Sequence, residues 1–145
     1  MKLSAHVQNS QGSHQVTLRA GDHEHALAIP PRPSGLGSSA SGGELLFLAL
    51  ATCYCNDSYR EAAKRGLPVL SVEVEAQGDF GAEGEPAQNV SYRARVTAQA
   101  PEETIRELMR YTDTVAEIQN TLRLGLAVAL AEIEALSVPA GGSPR

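Results

Sequence analysis

Two cysteines, Cys53 and Cys55, close an almost unbroken apolar run, ELLFLALATCYCND, residues 44–57. They are the only cysteines in the chain. A thiol can serve as nucleophile, metal ligand, disulfide partner or small core residue, and direction, access and nearby charge decide which. On a helix, residues two apart point about 200° away from each other. Cys53 and Cys55 therefore face nearly opposite sides, which disfavours both a disulfide between them and joint chelation of one metal. At most one can look into a given cleft. Cys53 would stand in the third turn, too far from the helix start for the dipole alone to lower its pKa, so reactivity requires a cation from elsewhere. Arg19, Arg32 and Arg123 are the candidates.

Other chemistry-bearing residues have competing structural roles. Glu44 can cap a helix or act as an acid, a base or an orienting group for an arginine. Asn120 can close a helix or line a cleft beside Cys55. Asp113 and Glu117 share a helix face at i, i+4 and either serve a site or meet water. His23-Glu24-His25 could put two imidazoles on one face of a strand, but the spacing fits a solvated turn better than a zinc site, so no metal is expected. All four histidines precede residue 26, so no Ser/His/Asp constellation can be assembled, and no glycine-rich phosphate loop is present. No cofactor is implied.

The elements that would position these groups follow from pattern. KLSAHVQ, HQVTLRA and EHALAIP read as three strands of an antiparallel meander, with Gly21-Asp22 as a turn. Residues 30–43, PPRPSGLGSSASGG, form a long connection. Ser41-Gly42-Gly43-Glu44 has the spacing of a capping box and predicts a helix that runs to about Arg65, where Gly66 and Pro68 offer a stop. Its first half is apolar all round and its second half mostly polar, which predicts that the first half is buried on every side, by sheet and helix or by another subunit. VLSVEVEAQ (69–77) and NVSYRARVTAQ (89–99) alternate as half-buried strands joined by an exposed hairpin loop. Pro101-Glu102-Glu103 opens a second, amphipathic helix. Residues 124–136, LGLAVALAEIEAL, suit either strand or helix, and 137–145 read as a flexible tail.

At 145 residues the chain is most simply one domain, over 1–136, large enough to need no disulfide staple. The net charge of −5 and the scattered basic residues argue against nucleic acid as a partner. The N-terminus carries no apolar targeting segment, and no stretch approaches the ~20 apolar residues of a membrane span. A cytoplasmic protein with free thiols is the expectation.

Glu44-Leu45-Leu46, the nine residues from Glu44 to Cys53, the strand VLSVEVEAQGDF and the helix ending EIQNTLR (117–123) resemble the OsmC/Ohr family of osmotically induced and organic hydroperoxide resistance proteins. The likeness covers roughly residues 30–130. It implies an α+β fold, β-β-β-α-β-β-α-β, in an intertwined homodimer whose sheets wrap central helices, with 124–135 as the last strand. It also implies a thiolate at Cys53 that attacks a hydroperoxide, giving a sulfenic acid. In peroxidatic members a second cysteine before the NTL motif resolves that acid, and an early arginine and a glutamate polarise the first cysteine. Here Ala116 stands at the resolving position, Gly43 at the glutamate, and the first loop, QNSQGSHQ, has no arginine. Two functions are consistent with this pattern. One is a stress protein in which Cys53, as a one-cysteine thiol, reduces hydroperoxides with an external thiol reductant. The other is a noncatalytic dimer that binds a small apolar or electrophilic ligand in the interfacial cleft, with Cys53 lining it.

Overall fold

The computed structural model describes residues 1–139 and Gly141. Strands β1 (Leu3–Ser10), β2 (Ser13–Ala20) and β3 (His23–Ala26) form an antiparallel meander in the order β1-β2-β3. Gly12 and Gly21 hold positive φ at its two turns, 73° and 58°. Glycine adopts that conformation at little cost, having no Cβ to clash. Helix α1 (Gly42–Lys64) follows the long connection, and strands β4 (Val69–Asp79) and β5 (Gln88–Ala98) pair as a second antiparallel sheet. Helices α2 (Glu102–Val115) and α3 (Glu117–Leu124) complete the regular structure, making the fold α+β.

The start of α1 is where the capping box predicts it. Ser41 Oγ accepts from the Glu44 N–H at 3.1 Å, and Glu44 Oε2 accepts from the Ser41 N–H at 2.6 Å. At the other end Gly66 has φ 63°, and the Leu67 N–H returns to Ala62 O at 3.0 Å.

Within the single chain, burial along α1 runs opposite to what enclosure of its first half by sheet and helix would give. Its apolar first half is mostly half-buried, with Leu48 54% exposed, whereas the polar second half supplies buried Asp57, Ser58, Glu61 and Ala62. The cause is α2, which packs on the second half: Leu108 is 0% exposed, and Tyr54 donates its hydroxyl to Met109 O at 2.8 Å. One of the buried acids, Glu61, is neutralised locally. Glu61 pairs with Lys64 at 2.9 Å and with Arg60 at 3.1 Å.

Two further expectations are corrected. The second helix is broken at Ala116, where φ −72° and ψ 109° leave the helical region, so α3 turns away from α2 and its first residue, Glu117, is re-aimed. The last strand does not form in the single chain: 125–139 have no regular structure. A strand is held by its ladder to a neighbour. After Gly125 no strand among the described residues lies alongside, and Leu126, Val128, Leu130 and Ile133 stand exposed, Val128 at 96%. Of the predicted tail, 137–139 are likewise irregular, and 140 and 142–145 lie outside the described residues. Among the described residues no helix is long and apolar enough to cross a membrane.

Candidate active site around Cys53

Helix periodicity puts Leu46, Leu50, Cys53, Tyr54 and Asp57 on the face of α1 that meets the later helices. The kink at Ala116, itself 0% exposed, delivers Glu117 to that face. The Cys53 thiol donates to Asp57 Oδ2 at 3.5 Å and approaches Glu117 Oε2 at 3.9 Å. The three ligand-capable atoms of Cys53, Asp57 and Glu117 lie within 4.8 Å of one another. Arg60 Nη1 stands behind them, 2.7 Å from Asp57 Oδ1 and 3.5 Å from Glu117 Oε1. Asp57 is buried, Cys53 half-buried and Glu117 exposed, so the group runs from the interior to the surface.

The electrostatics favour thiol over thiolate. Burial pushes the Cys53 pKa up; the Ile118 backbone opposes this, and the charges of Asp57 and Glu117 add to it. The Asp57 carboxyl is also raised, first by burial and then by facing Glu117, with Arg60 opposing. Glu117 is lowered, chiefly by a hydrogen bond from its own backbone N–H. Cys53 therefore donates toward carboxylates, and the guanidinium reaches the sulfur only through them. None of the cations expected from the sequence serves it: Arg19 pairs with Glu24, Arg32 lies toward Ser38 O, and Arg123 pairs with Asp113 at 2.7 Å. Arg60 is the cation of the site, and Asp57 its buried acid. Their signal was spacing alone, i, i+4 and i, i+7 from Cys53 on one helix.

The remaining candidates sit elsewhere. Glu44 is engaged in the α1 cap. At about 1.5 Å of rise per residue, that cap is roughly 14 Å along the axis from Cys53. Cys55 faces a shallow hollow against Val74, beside Ala51, Thr52 and Asn56. Asn120 closes the α2–α3 corner, donating to Thr114 O at 3.0 Å and accepting from Arg123 at 3.0 Å. Asp113 points to Tyr92 and Arg123, away from the thiol. Gly43, where the resemblance places a glutamate, lies against the Phe80 ring: a Cβ there would come within 2.7 Å of it. Phe80 in turn packs on Phe47, with ring centroids 6.0 Å apart. Aromatic packing thus occupies the room a longer side chain would need.

The chain matches the OsmC-like protein family model over residues 35–131, and it belongs to that family. No curated protein matches the sequence. Solved structures with a similar fold include an OsmC-like protein from Mycoplasma pneumoniae, 14% identical, with TM-score 0.58, covering 83% of this chain and 87% of that one. An OsmC-like protein of unknown function from Vibrio cholerae is 18% identical, with TM-score 0.55 and coverages of 83% and 93%. An organic hydroperoxide resistance protein from Legionella pneumophila is 15% identical, with TM-score 0.53 and coverages of 85% and 90%. At these identities the likeness is one of fold.

Proposed function

We propose that this OsmC-family protein reduces organic hydroperoxides with a single cysteine, Cys53, whose proton is taken by carboxylate rather than shed in advance to an adjacent cation. The observation that carries this reading is the thiol's approach to Asp57 Oδ2 and Glu117 Oε2 at 3.5 and 3.9 Å. The sulfur attacks the distal peroxide oxygen, the O–O bond breaks, and the thiol proton passes to the carboxylates as the S–O bond forms. A proton then goes to the departing alkoxide, leaving an alcohol and Cys53 sulfenic acid. Asp57, with its raised carboxyl, is the stronger base of the pair, and Arg60 offsets the surplus negative charge. Since Ala116 occupies the resolving position, an external thiol condenses with the sulfenic acid, releasing water, and a second thiol restores Cys53.

The working unit in this proposal is a homodimer in the cytoplasm. Support comes from apolar surface left open by one chain: Leu48 on α1, Leu3 and Val7 on β1, and the alternating residues 126–136. In the meander only Val16 is buried.

A second reading, a noncatalytic ligand-binding dimer with Cys53 lining its cleft, is favoured by the lack, among the described residues, of direct cation contact at the sulfur. One assay separates the two. Reduced protein is incubated with cumene hydroperoxide, and peroxide loss and protein mass are followed beside Cys53→Ser and Cys55→Ser. Catalysis predicts peroxide consumption and one added oxygen, both lost only in Cys53→Ser. Unchanged peroxide in every sample supports the binder.

A further inference from the structure

The surface end of the Cys53 cluster is Glu117, whose side chain is 66% exposed. The two carboxylates of the cluster turn different oxygens to different partners. Asp57 Oδ2 and Glu117 Oε2 face the sulfur, at 3.5 and 3.9 Å. Asp57 Oδ1 and Glu117 Oε1 face Arg60 Nη1, at 2.7 and 3.5 Å. The guanidinium therefore lies across both anions from the thiol. Lys64 and Arg65, further along α1, stand roughly 16–18 Å of helix rise beyond Cys53, where solvent and salt largely screen them, and both pair with Glu61. Arg123 is held by Asp113. With both carboxylates ionised, Asp57 and Glu117 set against Arg60 leave one surplus negative charge at the sulfur. Restoring an oxidised Cys53 takes two molecules of an external thiol, and each reacts as its thiolate. A thiolate that also carries a carboxylate brings a second negative charge to this setting, whereas one that carries an ammonium group brings its own counter-charge.

We infer that Cys53 selects its thiol partner by charge, taking a small aminothiol, with its ammonium group a short chain from the sulfur, over an acidic thiol. As a statement about the reductant this rests on the hydroperoxide reading above; as a statement about exchange at the sulfur it does not. The ammonium group lies against Glu117 while the incoming sulfur attacks the Cys53 sulfenic sulfur. An S–S bond forms, the S–O bond breaks, and the proton of the incoming thiol leaves with the hydroxyl as water. A second aminothiol attacks the outer sulfur, giving a free disulfide and the Cys53 thiol.

Two methanethiosulfonates, one carrying trimethylammonium and one sulfonate, test the charge rule without peroxide. Each transfers its thioalkyl group to Cys53 and releases methanesulfinate. Rates are followed by protein mass in full-length Cys55→Ser, in its solution assembly. The cation-to-anion rate ratio is divided by that of free 2-mercaptoethanol, and the thiolate fraction cancels within each ratio. The quotient is expected to be about 10, because a unit charge roughly 6 Å away in water acts with opposite sign on the two reagents. Glu117→Gln, a change at an exposed side chain, should bring it to about one, and Glu117→Lys below one. In a second arm, protein oxidised with one equivalent of cumene hydroperoxide is reduced with cysteamine or 3-mercaptopropionate, which differ in charge at similar length. Their rate ratio should fall by a similar factor in Glu117→Gln. A methanethiosulfonate quotient near one in Cys55→Ser, a quotient or a thiol ratio indifferent to Glu117→Gln, or no modification by either reagent would overturn the inference. If the hydroperoxide leaves Cys53 unoxidised, the hydroperoxide reading falls and the methanethiosulfonate quotient alone decides the charge rule.

Discussion

Two clusters of carboxylate and arginine flank the α2–α3 corner, and they treat their aspartates in opposite ways. At one, Asp113 meets the Tyr92 hydroxyl and Arg123, donors matched to one carboxylate, and its pKa is lowered although burial opposes this. At the other, Arg60 is shared among Asp57, Glu61 and Glu117, and the Asp57 carboxyl is raised. Burial acts on both aspartates, so the number of donors per carboxylate decides the direction. The first cluster is a closed joint that ties β5, α2 and α3 together. The second has proton-accepting capacity to spare, and the half-buried thiol lies against it. The first also affects its phenols: burial and the charge of Asp113 push Tyr54 up to about 12, so the Tyr54 hydroxyl stays a donor to Met109 O across the working pH range.

The largest expected effect separates the two clusters by reaction. Removing both bases, Asp57→Asn with Glu117→Gln, should slow peroxide consumption at neutral pH by about 10²-fold, the low end for general acid–base assistance. The same variant should speed alkylation of Cys53 by iodoacetamide, because two charges that disfavour the thiolate are gone. Asp113→Asn should alter neither rate. Peroxide reduction and alkylation moving together would erase the distinction between the clusters.

Stability gives a smaller separation. Arg123→Gln should cost roughly 0.5–1 kcal/mol at neutral pH, as suits a partly exposed pair, read by urea unfolding. The sign with pH is opposite at the two sites. Asp113, lowered in the folded state, contributes stability that is present above its ordinary value of 3.8 and lost as pH falls through its depressed folded value. Asp57, raised in the folded state, contributes stability that is full below 3.8 and lost as pH rises through its elevated value. Unfolding curves of Asp113→Asn and Asp57→Asn should therefore diverge from the wild type in opposite directions between neutral and acid pH. The smallest effect is expected at a third carboxylate. Glu44→Gln should leave peroxide consumption unchanged, because Glu44 is held in the α1 cap; a large loss would mean that the base is there and not beside Cys53.

The features legible in the sequence were those fixed by neighbours in the chain. Ser41 and Glu44 announced the start of α1, Gly66 its end, and alternation in 69–77 and 89–99 the β4–β5 pair. The divergence of Cys53 and Cys55 followed from helical geometry alone. Features set by partners distant in sequence stayed hidden. Apolarity placed the buried half of α1 at its beginning, whereas within one chain docking of α2 buries the second half, and Lys64, Arg60 and Arg65 allow Glu61 to be buried there. The alternation in 124–136 was genuine as a pattern, yet a strand also needs an edge to join. The break at Ala116 has no proline or glycine to signal it. Without that break Glu117 reads only as an i, i+4 neighbour of Asp113; with it, Glu117 reaches a thiol 64 residues away in sequence.

The most direct test of the carboxylate-held thiol is the ionisation of Cys53 itself, followed by thiolate absorbance against pH in Cys55→Ser. The geometry predicts a midpoint above the ordinary thiol value of 9.0, moving down when Asp57 and Glu117 are neutralised by substitution. A thiolate already formed at neutral pH, or a midpoint indifferent to both carboxylates, would contradict it.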